Sequence, residues 1–332
     1  MKKRIKIYFV DFWPVFNKQD NFFLDFLKED YEVVLDKENP DFLFYSVFGT
    51  EHYGYNCVKI FFTGENIRPN FQECDWALTF DYSENPRNYR LPLYAFYEDV
   101  NKLTLPKPPI DELFKEKTKF CNFIYSNPSC KKRNEFFKKL SKYKKVDSAG
   151  RLYRNTSERI GDKIQFIRQY KFTFAFENES YPGYTTEKIF EPMISNSIPI
   201  YWGNPLVNRD FNEKSFLNYH QYGSDEELIK KIIELDNNDD LYKQMLAEPY
   251  FNDNKVNEFV NRDNIKNRLK QIIESDISPI SANHPRYYYS GISKEIRANY
   301  LSAKFAINHN YKKIKTISPL KIKIKIEKMR GK

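Results

Sequence analysis

A short loop followed by a helix start holds the residues of this sequence that are best suited to chemistry. Residues 172–205 divide into a strand, a polar loop, a helix and a second strand. Thr185 or Thr186 is a suitable N-cap for a helix that begins at Glu187. The loop leaves the carboxyl end of a strand, where open α/β sheets bind ligands, and a helix start offers free N–H groups and a positive dipole. Lys188 adds a full charge, so these residues predict a pyrophosphate site that needs no metal ion.

Several common catalytic and nucleotide-binding patterns are absent from the sequence. No two of the ten glycines are spaced G-x-G, and no P-loop pattern occurs. The four histidines lie far apart, without the H-E-x-x-H or nucleophile-elbow setting of metalloproteases and hydrolases. There is no D-x-D pair to hold a divalent ion against a nucleotide-sugar diphosphate. A diphosphate ligand would therefore be neutralised by protein cations, and no metal site is predicted.

The segment with the predicted pyrophosphate site also closely resembles a family signature, which reads F-E-N, an aromatic residue, T-E-K and then I-P-(I/V)-Y-(W/L)-G. The signature is matched, in order and spacing, by Phe176-Glu177-Asn178, Tyr184, Thr186-Glu187-Lys188 and Ile198-Pro199-Ile200-Tyr201-Trp202-Gly203. It is that of glycosyltransferase family 10, the α1,3/4-fucosyltransferases. A T-E-K triplet alone favours a capped helix with a solvated lysine, but this longer match favours a binding site.

The resemblance extends, with weaker stretches in between, from about residue 55 to about residue 220. The further matching stretches are Phe62-Thr63-Gly64-Glu65-Asn66, Pro69-Asn70-Phe71, residues 89–94, Ser126-Asn127-Pro128, Arg133-Asn134 and residues 146–155. The chain lacks the heptad repeats and helical basic tail of some bacterial members. Its loop reads Glu179-Ser-Tyr-Pro-Gly where other members differ in length and residue. Acceptor preference and the role of the tail therefore do not transfer with the resemblance.

The resemblance implies a set of donor-binding residues: Arg133, Asn178, Tyr184, Lys188, Glu177 and Gly150. By this matching, Arg133 and Lys188 would hold the pyrophosphate. Asn178, Tyr184 and Glu187 would contact the nucleotide or the sugar. Glu177 has a second possible role, which is to hold the loop.

Two glutamates are the predicted catalytic residues. Inverting transfer needs a carboxylate that takes the proton from the acceptor hydroxyl while the diphosphate leaves from the opposite face of the sugar. The resemblance assigns this role to Glu65, which follows the predicted strand 58–62 at its carboxyl end. Without the family match, a lone glutamate after a strand would be a solvated loop residue or a helix cap. Glu187 is the second candidate, because a carboxylate can stabilise positive charge at the anomeric carbon.

The elements around these residues predict an α/β protein. Strands are predicted at residues 5–10, 31–35, 42–47, 58–62, 120–125, 144–147, 172–176 and 198–201, and helices at 21–28, 134–140, 162–169, 187–194, 225–235 and 264–273. Near-continuous apolar strands suit a parallel sheet covered on both faces. We therefore expect the GT-B type of fold: two facing Rossmann-like doubly wound domains with a cleft between them, plus a basic C-terminal tail.

The predicted domain organisation has five parts. They are an N-terminal acceptor-binding domain with the general base (1–105), a proline-rich linker (106–118), a GDP-fucose-binding domain (119–275), a C-terminal helical segment (276–310) and a basic tail (311–332). Residues 311–332 carry nine lysines or arginines and one glutamate, and therefore +8 of the net charge of +9. Since the folded body is nearly neutral, no nucleic-acid partner is expected.

The basic tail has two possible interpretations. Ile322, Ile324 and Ile326 alternate with lysines, which places them on one side of a strand but scatters them around a helix. The segment is either a disordered basic end or a surface for anionic lipid headgroups, to which each Lys or Arg contributes about 1 kcal/mol. We favour the lipid surface, because a purely solvated tail does not need the isoleucines.

The expected compartment is the cytoplasm, with peripheral contact at the inner face of the membrane. The four cysteines contain no C-x-x-C pair, which fits a reducing compartment. No run approaches the ~18 apolar residues of a membrane helix, and the apolar run at the start is too short for a signal peptide.

The resemblance implies an inverting α1,3-fucosyltransferase. It would move L-fucose from GDP-β-L-fucose to the N-acetylglucosamine of an N-acetyllactosamine-type glycan, with a Lewis x-like product on a surface polysaccharide such as lipopolysaccharide. GDP-fucose would be a substrate, and no cofactor is expected. Two alternatives stay open: a transferase of the same fold with another GDP-sugar or an α1,4 linkage, and a non-enzymatic polyanion-binding protein that acts through its tail.

Overall fold

The computed structural model describes residues 2–96, 100–157 and 160–279, and these form an α/β fold. The strands are β1 Lys3–Val10, β2 Tyr31–Leu35, β3 Phe42–Tyr45, β4 Val58–Phe62, β5 Trp76–Thr79, β6 Asn88–Arg90, β7 Lys119–Phe123, β8 Val146–Ser148, β9 Tyr170–Phe176, β10 Ile198–Trp202 and β11 Leu217–Asn218. The helices are α1 Phe22–Asp30, α2 Ile110–Lys115, α3 Lys131–Leu140, α4 Lys163–Arg168, α5 Glu187–Ile194, α6 Asp225–Asn237, α7 Asp239–Ala247 and α8 Arg262–Ile273. The basic tail and nearly all of the predicted C-terminal helical segment lie outside the described residues.

The strands form two sheets with the same internal order. The first sheet has the order β2-β1-β3-β4-β5-β6 and the second has the order β8-β7-β9-β10-β11. The pairs β1–β2, β1–β3 and β5–β6 are parallel, and so are all pairs of the second sheet. This is the strand order of doubly wound folds, which bind ligands where the order reverses, at β1/β3 and at β7/β9. The two parallel sheets confirm the predicted doubly wound α/β architecture.

The sequence of the strands explains why they lie inside. All five residues of β4 and six of the seven residues of β9 are buried. Buried strands of this kind are typical of parallel sheets with helices on both faces. In the second sheet, Phe174 of β9 packs against Phe123 of β7 and Phe136 of α3, with ring centroids 5.2 and 5.7 Å apart. These contacts fix the strand ends from which the candidate site is built.

Contacts between Cα atoms divide the described chain into two compact units. One comprises residues 2–60, 72–75 and 277–279, and the other comprises residues 61–71 and 76–276. The loop that carries Glu65 therefore belongs to the same compact unit as β9 and α5. The domain boundaries predicted from the sequence stay predictions.

The segment predicted as a linker contains a helix. Residues 110–115 form α2, and its Leu113 is fully buried in the core of the second sheet. The sequence analysis also missed β5, β6, β11 and α7. Of these, β6 has only three residues, and two of them, Asn88 and Arg90, are buried polar residues, so no apolar pattern marks the strand.

The helices of the structure are short and amphipathic. The longest one among the described residues is α6, with 13 residues. α3 buries Phe136, Phe137 and Leu140 and leaves its lysines toward solvent. Within residues 2–96, 100–157 and 160–279, no helix combines the length and the apolar composition needed to cross a bilayer.

Candidate active site

The predicted donor-binding residues converge at the reversal point of the second sheet. Arg133 lies on α3, which follows β7, while Glu177 and Asn178 follow β9 directly. The Arg133 Nη1 atom donates to Asn178 Oδ1 at 3.2 Å and to the Glu177 carbonyl at 3.5 Å. The structure thus brings together three residues that are up to 45 positions apart in the sequence.

Helix α5 begins at Glu187, as predicted, and Thr186 is its N-cap. The Thr186 backbone is extended, and its side chain accepts a hydrogen bond from Lys188 N at 3.4 Å. The helix dipole favours negative charge at this end, where the Thr186 N–H already donates to the Glu177 carboxylate. Thr186 therefore defines the point at which an anion would meet the helix.

A buried carboxylate holds this turn in place. Glu177 is fully buried, and its Oε1 accepts from the Thr186 N–H at 2.7 Å. The Thr186 hydroxyl lies 2.7 Å from Glu177 Oε2, and the Lys188 Nζ atom lies 3.2 Å from the same oxygen. Burial raises the pKa of Glu177, while the charge of Lys188 acts against this shift. Glu177 therefore ties the end of β9 to the start of α5.

Lys188 lies between two carboxylates. Its Nζ atom is 3.3 Å from Glu187 Oε1 as well as 3.2 Å from Glu177 Oε2. Burial lowers the pKa of Lys188, but Glu177 and Glu187 outweigh burial and hold the pKa well above its ordinary value. Burial likewise raises the pKa of Glu187, and Lys188 with Lys163 reverses this shift to a lowered pKa. Lys188 is thus a cation and Glu187 an anion at neutral pH.

Arg133 is a buried cation whose hydrogen-bond acceptors are all neutral. It is 0% exposed, and its guanidinium stacks on the Tyr125 ring at 4.0 Å. It donates to the carbonyls of Asn127, Phe176 and Glu177 and to the amide oxygen of Asn178, and its Nε has no hydrogen-bond partner in the structure. A guanidinium is always charged in proteins, and a buried one is costly without an anion. The site is therefore suited to an anionic ligand.

Tyr184 and Gly150 line the same region for different reasons. Tyr184 is buried with its ring 4.9 Å from that of Phe80, and burial raises the pKa of its hydroxyl well above the ordinary value. Gly150 follows β8, and a Cβ atom there would lie 2.1 Å from the Tyr125 carbonyl oxygen. Tyr184 thus keeps a neutral hydroxyl in the site, and only glycine lets the loop after β8 pass so close to the chain after β7.

The structure brings Glu65 into the electrostatic neighbourhood of these residues. Glu65 is half-buried after β4, where its N–H donates to Thr63 Oγ1 at 3.0 Å and its carbonyl accepts from the same hydroxyl at 3.1 Å. The charges of Glu65 and Glu187 both contribute to the raised pKa of Tyr184. The two predicted catalytic carboxylates therefore act on one buried phenol.

The assembled site offers cations for a diphosphate and carboxylates for proton transfer. Arg133 and Lys188 supply the positive charges, and Glu65 and Glu187 supply the carboxylates. In the described part of the chain, no group of three His, Cys, Asp or Glu side chains is placed to hold a metal ion. That diphosphate binding needs no metal stays a prediction.

Two family models match consecutive parts of the chain. One, described as "Alpha-(1,3)-fucosyltransferase FucT N-terminal domain", matches residues 7–97. The other, described as "Glycosyltransferase family 10 (fucosyltransferase) C-term", matches residues 114–252. The chain belongs to glycosyltransferase family 10. The family resemblance seen in the sequence is thereby confirmed.

The chain is similar to other family 10 proteins over part of their length. It is 36% identical to an α-(1,3)-fucosyltransferase FucT of Helicobacter pylori, over 58% of this chain and 47% of that protein. It is 26% identical to α-(1,3)-fucosyltransferase B of Drosophila melanogaster, over 58% of this chain and 52% of that protein. The chain thus matches about half the length of these relatives.

Solved structures of an α1,3-fucosyltransferase have the same fold. One is superimposed with a TM-score of 0.74 at 29% identity, over 85% of this chain and 93% of the other. A second, a complex with GDP-fucose, gives a TM-score of 0.72 at 29% identity, over 84% and 93%. This likeness, with the two parallel sheets, confirms the predicted α/β fold of GT-B type.

Sequence reasoning missed a buried asparagine that fixes the loop before α5. Asn204 is fully buried; its Oδ1 accepts from Gly183 N at 2.7 Å and its Nδ2 donates to Thr185 Oγ1 at 3.0 Å. Asn204 directly follows the family signature, and this position was the only feature of the sequence that could have indicated its role. A buried asparagine that satisfies backbone and hydroxyl groups fixes the loop as firmly as a packed side chain would.

Sequence reasoning also missed a buried aspartate–histidine pair. The Asp11 carboxylate lies 2.5 Å from His52 Nδ1 and accepts from the backbone N–H groups of Glu51 and His52. The His52 ring stacks on the Tyr45 ring and lies tilted against the Tyr53 ring, with both centroid separations 4.1 Å. Its Nε2 is buried without a hydrogen-bond partner in the structure. Asp11 and His52 are 41 positions apart, so no local spacing could reveal this pair.

We predict that Gly203→Ala weakens anion binding at the start of α5. A Cβ atom at Gly203 would lie 2.3 Å from Glu177 Cγ, so Glu177 must move and release Thr186. Overpacking of this kind costs about 1–3 kcal/mol of folding free energy. A loss of the same size in anion binding corresponds to affinity that is roughly fivefold to 150-fold weaker. Isothermal titration with inorganic pyrophosphate measures the effect. Gly161→Ala, where a Cβ meets nothing within 4 Å, is the control, and equal affinity of both variants would contradict the prediction.

Proposed function

We propose that this protein is an inverting α1,3-fucosyltransferase. It moves L-fucose from GDP-β-L-fucose to the N-acetylglucosamine of an N-acetyllactosamine-type glycan and gives a Lewis x-like product. The observation that carries the proposal is the convergence of Arg133, Lys188 and two carboxylates in a family 10 chain. The 29% identity to a solved α1,3-fucosyltransferase that was crystallised with GDP-fucose supports the choice of donor.

In this mechanism the two cations stabilise the leaving diphosphate. Arg133 and the N-terminal turn of α5 with Lys188 face the reversal point of the second sheet, where a nucleotide diphosphate would bind. Negative charge grows on the phosphate as the bond from anomeric carbon to oxygen breaks, so these contacts strengthen in the transition state. Loss of one such contact commonly costs about 10²–10³ in rate.

The two catalytic carboxylates have separate tasks. The acceptor hydroxyl oxygen attacks the anomeric carbon of fucose, its proton passes to Glu65, and GDP leaves from the opposite face, which inverts the configuration. Glu187 is anionic because Lys188 and Lys163 lower its pKa. It would therefore stabilise the oxocarbenium-like transition state as a fixed negative charge.

We expect the purified protein to convert GDP-fucose and N-acetyllactosamine into a fucosylated trisaccharide, both with and without a chelator. The physical reason is that protein cations take the place of a metal at the diphosphate. Mass spectrometry and NMR of the product measure mass and linkage. Turnover of another GDP-sugar in the absence of this product would refute the donor, an α1,4 linkage would refute the regiochemistry, and loss of activity in chelator would refute the metal-free site.

We expect Glu65→Gln to bind GDP-fucose as tightly as the wild type and to transfer fucose at least about 10²-fold more slowly, because the amide cannot accept the proton. Single-turnover experiments measure the rate of transfer, and titration with GDP-fucose measures the binding affinity. His52→Ala is the comparison variant, since the Nε2 atom of His52 is buried without a hydrogen-bond partner in the structure. Near-normal transfer by Glu65→Gln with a large loss in His52→Ala would place the base at His52.

We also propose that the protein acts in the cytoplasm and that residues 311–332 hold it to the anionic inner face of the membrane. The supporting observation is the charge of +8 on this segment, interleaved with isoleucines. A chain that ends at Ser318 should keep transfer activity in solution and lose co-sedimentation with vesicles that contain phosphatidylserine. Unchanged vesicle binding would contradict the role of the tail, and lost transfer would favour a protein that acts through the tail.

A further inference from the structure

Two loops that flank the candidate site are joined by side chains that belong to neither the predicted donor-binding set nor the predicted catalytic pair. Asn66 directly follows Glu65, and its Nδ2 donates to Glu179 Oε2 at 2.5 Å. The Asn66 Oδ1 accepts a hydrogen bond from the guanidinium of Arg68. Asn66 and Glu179 are 113 positions apart and lie in the same compact unit. The loop with Glu65 is thus bonded directly to the loop after β9.

Arg68 strengthens this connection by stacking on the same loop. Its guanidinium lies 3.7 Å from the centre of the Tyr181 ring and 4.6 Å from the centre of the Phe80 ring. It also forms an ion pair of 3.0 Å with Asp81, and both side chains of this pair are half-buried. An arginine that stacks on two aromatic rings and pairs with a carboxylate is confined in its orientation. Arg68 therefore fixes the end of the loop that carries Glu65.

Four residues make up this connection: Asn66, Arg68, Glu179 and Tyr181, which we call the clasp. Glu179 and Tyr181 belong to the loop in which this chain departs from other family members. Tyr184 lies on the same loop, and its N–H donates to the Tyr181 carbonyl at 3.1 Å. The clasp thus joins the loop of the predicted base to the loop that holds the predicted donor residues.

We propose that the clasp positions Glu65 for catalysis, an inference that rests on the proposed transferase function. Asn66 and Arg68 act through Glu65 and are positioning residues. A misplacement of a catalytic group by about 1 Å can cost on the order of 10² in rate. Loss of the clasp would let the Glu65 carboxylate move away from the acceptor hydroxyl.

The test is a double-mutant cycle in the full chain with Asn66→Ala, Glu179→Ala and the double variant. We expect each single variant to lower kcat about tenfold or more at saturating substrates, while KM for GDP-fucose changes less than about twofold. The double variant should be no slower than the slower single variant, because both changes remove the same bond. If the losses in kcat of the two single variants add up in the double variant, the proposed role of the clasp is wrong.

Variants of Arg68 provide a second, independent test of the proposal. Arg68→Ala should lower kcat like Asn66→Ala, and Arg68→Lys should recover part of the loss because it keeps the charge beside Asp81. The matched control is Arg268→Ala, since Arg268 is also half-buried and stacks on Trp76 and Tyr89 at 4.8 and 6.0 Å. It should leave kcat unchanged. Equal losses in Arg68→Ala and Arg268→Ala would show a general effect of destabilisation and overturn the proposal.

The outcomes separate the clasp from the proposed function. If the wild type transfers fucose and the clasp variants keep its kcat, only the clasp is refuted. If the wild type transfers nothing, the proposed function fails and the positioning role fails with it. A rise in KM for the acceptor at constant kcat in Tyr181→Ala would instead identify Tyr181, which is 38% exposed, as an acceptor contact and refute its positioning role.

Discussion

The buried carboxylate of Glu177 is the interaction on which the rest of the site depends. A buried charge is costly unless it is paired and hydrogen-bonded, and Glu177 meets this requirement through the Thr186 N–H, the Thr186 hydroxyl and Lys188. Its own N–H donates to the Trp202 carbonyl at 2.7 Å, which anchors it to β10. The Glu177 side chain therefore connects the end of β9 to the start of α5 and holds Lys188 in position.

The two cations of the site, Lys188 and Arg133, differ in how their charges are balanced within the protein. Lys188 is held in place by two carboxylates, so its charge is largely balanced within the protein. Among the described residues, Arg133 donates to neutral oxygens, and its guanidinium stacks on the Tyr125 ring. A diphosphate would thus gain most from Arg133, while Lys188 and the dipole of α5 direct its orientation.

Much of the second sheet and of the start of α5 was predictable from the sequence, because local patterns determine them. The cap at Thr186, the start of α5 at Glu187 and the strands around them follow from capping residues and apolar runs. The polar strand β6 was not predictable, because the burial of Arg90 depends on an ion pair with Asp210, 120 positions away. The bond between Asn66 and Glu179 and the pair of Asp11 with His52 also arise only from tertiary structure.

The clasp has a consequence for the design of chimeric enzymes from this family. A loop with other residues in place of Glu179 and Tyr181 would leave Asn66 and Arg68 without these partners. Graft libraries that vary this loop alone would therefore sample mostly impaired combinations. The segments 63–71 and 178–184 form one exchangeable module, and they need to be transplanted together.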